Sequence, residues 1–431
     1  VPERNADFHR GYEAGYARGV LAGKQNFGTR FDGVSIIIPT FNKQELLLEC
    51  LDSIEACTDY PYEIIVVDNG SQDGTAELLR KRRGPLRLAV HERNLGFARA
   101  VNTGLMMAKG SHIVLLNNDV LVTERWLSQL LRCLRDCPEA AAVGPVTNYI
   151  GGEQQIDVPY IDLPGMRDFA AAHNRSDPAK WRDTNRLVGF CLLIPRSTFE
   201  QIGYFDEGYE IGNYEDDDWM IRLRFLGKKL KIAGDTFVHH YGSMTMKALG
   251  AHGFADVNGR NENFFAEKWG DPHAFLQRVD YLSRNSGDGL RMSRFLPSNR
   301  WVKSSSGRVY RLKQGVRYPL ARHLVYEELW HQAVRLSIND LLQLPLGEEI
   351  AEPDYHSTRH ASQDDGDRVY RDQDGRLYQI ESGERREISS AYTCRAWGYP
   401  LPEQDHFPPE LRGLPEGFPI LPPVRLVSED L

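Results

Sequence analysis

Residues 34–39, VSIIIP, and residues 63–67, EIIVV, are the two stretches that decide how this chain folds. Both are short apolar runs without polar alternation, the mark of strands buried on both faces in a parallel sheet. Working outward, residues 43–57 carry Leu47, Leu51 and Ile54 at helical spacing. Residues 71–82 read as a second helix, 86–91 as a third strand, 97–109 as a third helix and 112–116 (HIVLL) as a fourth strand. A helix over 124–137 follows. Strand and helix alternating across short connections means an open, mostly parallel sheet with helices on both faces. Ligands of such sheets bind at the carboxyl ends of the strands. Residues 148–186 read as irregular. Regular signals resume at 187–194, 196–202 and 215–226, in a strand ending at 236–240, and in a helix over 261–269.

Four polar clusters interrupt this pattern. Pro39-Thr40-Phe41-Asn42 follows the first strand, Asp68-Asn69-Gly70-Ser71 the second, and Asn117-Asn118-Asp119 the fourth. The run Glu215-Asp216-Asp217-Asp218 opens a later helix. Topology puts the first three on one rim of the sheet, where a nucleotide could lie. Asp68 suits hydrogen bonds from a base or ribose. Asp119 offers hard oxygen ligands to a divalent cation. A carboxylate among like charges, as at 215–218, gains a raised pKa that suits a general base. Each cluster also has an ordinary reading: turn and cap chemistry at 68–74, an Asx turn at 117–119, an acidic first turn favoured by the helix dipole at 215–218, and packed or exposed histidines at His239 and His240.

The composition is that of an ordinary globular protein: 431 residues, 41% hydrophobic and 26% charged. A net charge of −8 argues against nucleic acid as a main partner. No run approaches a membrane span, and no signal peptide is visible. The 6 cysteines form no CxxC pair or zinc spacing, so reduced, buried thiols are expected. The expectation is a cytoplasmic protein, or one peripheral to the inner membrane face. Glycines 11, 15, 19 and 23 form one stripe on a helix, so residues 8–26 of a segment 1–30 read either as a helix-pairing element for a homo-oligomer or as a frayed tail. Near the other end GRVYRL (307–312) recurs as GRLYQI (375–380), and LPLG (344–347) as LPEG (414–417). The expected organisation is therefore 31–300 for the α/β domain, 301–350 and 368–431 for two small α+β repeats, and 351–367 for a linker. The aromatics of the repeats read either as a glycan- or protein-binding surface or as the cores of two compact modules.

In order along the chain, SIIIPTFN (35–42), EIIVVDNGSQDGT (63–75), RNLGFARAVNTGL (93–105), LLNNDV (115–120), VGFCLLIPRSTFEQIGYFDE (188–207), YEDDDWMIRLRFLG (214–227), VHHYGS (238–243) and NENFFAEKWG (261–270) resemble the family-two inverting glycosyltransferases, nearest their rhamnosyltransferase-like branch. The resemblance covers residues 34–270. It implies the GT-A nucleotide-sugar fold and transfer of a hexose or deoxyhexose from a UDP-, dTDP- or GDP-sugar to a glycan, lipid-linked glycan or protein acceptor. Pro39, Thr40, Asn42 and Asp68 would hold the nucleoside. Asn94, Arg99 and Asn102 would line the donor phosphate and sugar, with Asn117 and Asn118 beside them. Asn117 stands where many members have the first Asp of DxD, which leaves Asp119 as the strong ligand for Mn2+ or Mg2+. His239 matches the family's metal-site histidine, with His240 the one-residue alternative. The base of the family's ED motif falls on Asp216, supported by Glu215 and Asp218. A glycan-binding scaffold or a nucleotidyltransferase on a similar sheet are the competing readings.

Overall fold

The computed structural model describes residues 28–242, 250–286, 289–351, 368–402, 407–429 and 431. The glycine stripe at 8–26 and all but residue 351 of the 351–367 linker lie outside them. A nine-stranded sheet forms the larger body. Its strands are β1 (Phe31–Thr40), β2 (Tyr62–Asp68), β3 (Leu86–Val90), β4 (Gly110–Leu116), β5 (Val120–Leu121), β6 (Ala140–Thr147), β7 (Trp181–Thr184), β8 (Cys191–Pro195) and β9 (Lys229–His240). They run in the order 3-2-1-4-8-6-9-5, with β7 paired to β9. β1 to β4 are mutually parallel, β8 runs against them, and β6 and β9 are parallel again.

The first strands are buried on both faces, as their unbroken apolar runs require. Ile37, Ile65, Val67, Ile113 and Leu115 enter one apolar layer, and Ile36, Ile38, Ile64, Val66, Val114 and Leu116 enter the other. Helices α1 (Gln44–Cys57), α2 (Thr75–Lys81), α3 (Phe97–Met107) and α4 (Trp126–Asp136) connect these strands or follow them.

Three features depart from the sequence reading. β6 is a fully buried strand whose sequence, AAAVGPVT, lacks β-branched density. Its Pro145 sits next to a break in register with β9, where a missing N–H is tolerated. The irregular stretch 148–186 contains α5 (Leu163–His173), capped by Asp162 accepting from the Gly165 N–H at 2.8 Å, and the short β7. The helix expected at 261–269 is longer. Helices α6 (Arg196–Ile202) and α7 (Glu215–Phe225) are followed by α8 (Gly250–Trp269) and α9 (Pro272–Ser286).

The repeats form a four-stranded and a three-stranded sheet. Their kinship is structural: Arg317 bridges Leu346 and Leu320 bridges Ile350, as Arg385 bridges Glu416 and Ile388 bridges Ile420. They share one apolar core, in which Val302, Leu312 and Leu341 meet Leu377, Ile388 and Trp397. Each repeat also keeps a cluster of its own, Val309, Leu320 and Leu329 with Trp330 in the first and Tyr370, Tyr378 and Phe407 in the second. The chain then returns to the larger body, where Leu421, Leu426 and Leu431 join Trp269, Phe275 and Phe295. The cysteines are free, as expected. Among the described residues no helix is long and apolar enough to cross a membrane.

Candidate active site

The carboxyl ends of β1, β2 and β4 open onto a cavity of about 180 Å³. Pro39, Thr40, Asn94, Asn117, Asn118, Asp119, Glu215, Asp216 and His240 all line it, as do Asn69, Phe190 and Ile211. Hydrogen bonds tie the loops of this rim together. The Asn118 amide donates to Thr40 Oγ1 at 2.8 Å. The Asn69 amide donates to Asn94 Oδ1 at 2.9 Å and to the Gly96 carbonyl at 3.1 Å, while its oxygen accepts from the Leu95 N–H. Asn69 sat unremarked inside the second cluster. Only its span across two loops reveals its part. Gly70 must be glycine here: its φ is +85°, and a Cβ would lie 2.5 Å from the Arg93 backbone.

The pleat of β9 decides between the two histidines. β5 pairs with β9 so that Val120 faces His240 and Leu121 faces His239. Neighbouring strand residues point to opposite faces. His240 turns into the cavity and stacks on Phe190 at 5.3 Å. His239 turns away, with Nδ1 2.7 Å from the Tyr160 hydroxyl. Of the two histidines that the sequence leaves open, His240 lines the cavity and His239 does not. His240 Nδ1 lies 2.7 Å from the Tyr149 carbonyl. A carbonyl only accepts, so Nδ1 carries a proton and Nε2 is the nitrogen left to face the cavity side. That buried Nε2 has no hydrogen-bond partner and lies 3.2 Å from Asp119 Oδ1. Two electron-rich atoms this close need a proton or a cation between them.

An imidazole nitrogen and a carboxylate oxygen fit a divalent cation that takes its other ligands from phosphate and water. No group of three His, Cys, Asp or Glu that could hold a metal gathers among the described residues. With a nucleoside diphosphate present, His240→Ala should weaken Mn2+ binding at least about tenfold, and His239→Ala should leave it within about twofold. Electron paramagnetic resonance of free Mn2+ measures both. Equal effects from the two variants would remove the assignment.

Glu215 and Asp216 open α7, where the helix dipole favours anions. Burial opposes it. Burial first, and the Asp217 charge second, push the Asp216 carboxyl up to about 6. Burial and the neighbouring Asp216 raise Glu215 well above the usual carboxylate range. The two carboxyls share one buried environment, and each is pushed upward by it. Asp216 Oδ2 accepts from the Gly189 N–H at 3.0 Å, which aims the carboxylate. Asp217 pairs outward with Arg186, so the base position does not slip to it.

The remaining candidates lie elsewhere. Asn42 stitches the first two loops, receiving the Gln72 N–H and donating its own N–H to Ser71 Oγ. Asp68 is wholly buried; Oδ1 accepts from the Ser71 N–H, and Oδ2 has no partner. Asn102 is buried and grips the Phe205 backbone and Glu207. Arg99 lines a neighbouring cavity. The expectation of a supporting role at the reaction centre for Asp218 is corrected too. Its carboxylate is fully buried among Lys268 at 2.5 Å, Arg222 at 3.0 Å, Trp269 at 2.9 Å and Tyr209 at 3.1 Å. Burial alone would raise its pKa; Lys268 and Arg222 outweigh that and hold it low.

The structure adds one positioning residue. The loop before α7 holds Ile211, Asn213 and Tyr214 at φ of 56°, 82° and 73°. For a β-branched residue such a φ costs energy. Asn261, buried on α8, offsets it. Its amide donates to the carbonyls of Glu210, Gly212 and Asn213, and its oxygen accepts from the Glu210 N–H. The 261–270 motif signalled a helix but not this clamp.

Comparison with known proteins gives concordant findings. Residues 35–203 match the family model for glycosyl transferase family 2. Glycosyltransferase AglE of Haloferax volcanii is 27% identical over 48% of this chain and 66% of its own length. An N-acetylglucosaminyl-diphospho-decaprenol L-rhamnosyltransferase of Mycobacterium tuberculosis is 27% identical over 51% of this chain and 80% of its own. A solved mannosyltransferase from Pyrobaculum calidifontis, in complex with GDP-Man and Mn2+, aligns with 61% of this chain and 66% of its own at 22% identity and a TM-score of 0.40. The matched stretch begins in the first buried strand and runs through the loops that carry Asn69, Asp119 and Gly189, and over residues 35–203 the chain is similar to glycosyl transferase family 2.

Proposed function

We propose that this chain moves a hexose or deoxyhexose from a nucleoside-diphosphate sugar to an acceptor hydroxyl, with inversion. The observation that carries this reading is one cavity lined by both an aimed carboxylate, Asp216, and the Asp119–His240 pair. Residues 31–300 serve as the catalytic domain. The loops bearing Thr40, Asn69, Asn94 and Asn118 position the donor. Asp216 accepts the proton of the acceptor hydroxyl as its oxygen attacks the anomeric carbon. Attack opposite the departing diphosphate inverts that carbon, and no covalent enzyme intermediate is required. Glu215, whose carboxyl is pushed upward by burial and by Asp216, lines the cavity beside that base. Asp119 and His240 would hold a divalent cation, Mn2+ or Mg2+, whose chemistry is to neutralise charge on the diphosphate.

Mass spectrometry of the full chain with a panel of UDP-, dTDP- and GDP-sugars tests this reading. The dTDP-deoxyhexoses come first, given the rhamnosyltransferase among the relatives. At least one donor is expected to be hydrolysed or transferred in Mn2+ or Mg2+. Consumption of none would favour a glycan-binding scaffold. Release of pyrophosphate from a nucleoside triphosphate and a sugar phosphate would favour a nucleotidyltransferase.

A further inference from the structure

Beside the catalytic cavity lies a second one of about 490 Å³. The two share Asn94 and Ile211 as a common wall. The far wall of the second comes from the distal end of the chain, from Arg425 and Val427. That segment is firmly seated. The Arg425 N–H donates to Asp206 Oδ2 at 3.1 Å, and its carbonyl accepts from the Glu207 N–H at 2.9 Å. The N–H groups of Val427 and Ser428 donate to Glu207 Oε2 at 2.6 and 2.7 Å. Leu426 and Leu431 are buried in the main core.

The charges in this second cavity are unequally satisfied. Glu207 is saturated by those donors together with the Ser428 hydroxyl and the Asn102 amide. Glu210 is paired with Arg260 at 2.9 Å. Both acids are therefore already engaged. The two arginines are not. Arg99 Nε is buried without a hydrogen-bond partner among the described residues. The Arg425 guanidinium, on the cavity wall, makes no ion pair among the described residues. Arg99 and Arg425 both line the cavity, and a guanidinium without a carboxylate partner is a ready donor to an oxyanion.

We propose that this second cavity is a subsite for an oxyanion, a phosphate or a carboxylate, carried by the acceptor. The word acceptor rests on the transferase reading; the anion site does not. Arg99 and Arg425 donate to the oxyanion, and the shared wall at Asn94 and Ile211 lets the rest of the acceptor reach Asp216. The chain's distal segment thereby acts as a specificity element of the active site.

Inorganic phosphate and glucuronate, titrated separately into the full chain by calorimetry, test this directly. At least one should bind saturably at 1:1. Arg99→Gln and Arg425→Gln should each weaken that binding about tenfold or more, while Asp119→Asn, in the adjoining cavity, should not. Phosphate as the tighter ligand identifies a phosphorylated acceptor, and glucuronate a uronic acid. The proposal is overturned if neither anion saturates, or if binding follows Asp119→Asn and ignores both arginines. Anion binding that persists in a protein consuming no nucleotide sugar would refute the transferase reading alone.

Discussion

Asp216→Asn is expected to slow sugar transfer by about 10²- to 10⁴-fold, the usual worth of a general base, without unfolding the protein. The amide has the carboxylate's shape, so its oxygen still accepts from the Gly189 N–H. What it lacks is the ability to take a proton. Because burial raises the Asp216 carboxyl to about 6, the wild-type rate has a predictable pH dependence. A base works only when ionised. The rate should therefore be level above about pH 6 and fall about tenfold for each unit below it, as the carboxylate protonates. Steady-state rates of the variant at pH 7.5, with a wild-type profile from pH 4.5 to 8, measure both. A variant within tenfold of wild type, or a Glu215→Gln change that costs more than Asp216→Asn, would move the base to another residue.

The second large effect is on stability. Lys268→Met should cost about 3–5 kcal/mol, the usual penalty for stripping one partner from a buried ion pair. Lys268 is fully buried and lies 2.5 Å from both Asp206 and Asp218. Burial would lower its pKa, yet the two carboxylates outweigh that and raise it, so the ammonium is held charged. Removing it leaves Asp206 without an ion-pair partner among the described residues and Asp218 with Arg222 as its one remaining cation. The melting midpoint should drop by roughly 3–6 °C, as read by calorimetry at pH 7.5. A drop under about 2 °C would mean that the cluster contributes little. The same cluster anchors α8 against α7, so the variant should also weaken the grip of Asn261 on the loop before Glu215. Restored stability in Lys268→Arg would tie the loss to charge and not to volume.

This pairing shows how differently two neighbouring carboxylates are used. Asp216 and Asp218 sit on one helix, two residues apart, within an identical-looking acidic run. The run marks the helix start and hints at acid–base chemistry. It does not say which carboxylate meets a cavity. In a helix two residues span about 200° of rotation, so one aspartate opens onto the rim at Gly189 and the other turns into the protein toward Lys268. Arg186 takes the third, Asp217. The partners come from positions up to 51 residues away in the chain, as Trp269 does for Asp218. No local pattern could have named them.

Much was nonetheless determined by sequence alone. The runs VSIIIP and EIIVV can be satisfied only by burial on both faces, and that demand dictates an inner parallel sheet with helical cover. Once the sheet exists, polar loops at the ends of β1, β2 and β4 converge, so Thr40, Asn118 and Asp119 were legible as a site before any coordinate was known. Tertiary structure alone decided what depends on register, rotation and distant partners. The pleat of β9 chose His240 over His239. The pairing of β6 with β9 made a strand of an alanine-rich stretch. The returning distal segment supplies a wall of the cavity beside the candidate site. Each of these is set by contacts between residues remote in the chain, and periodicity records only what each residue owes to its near neighbours.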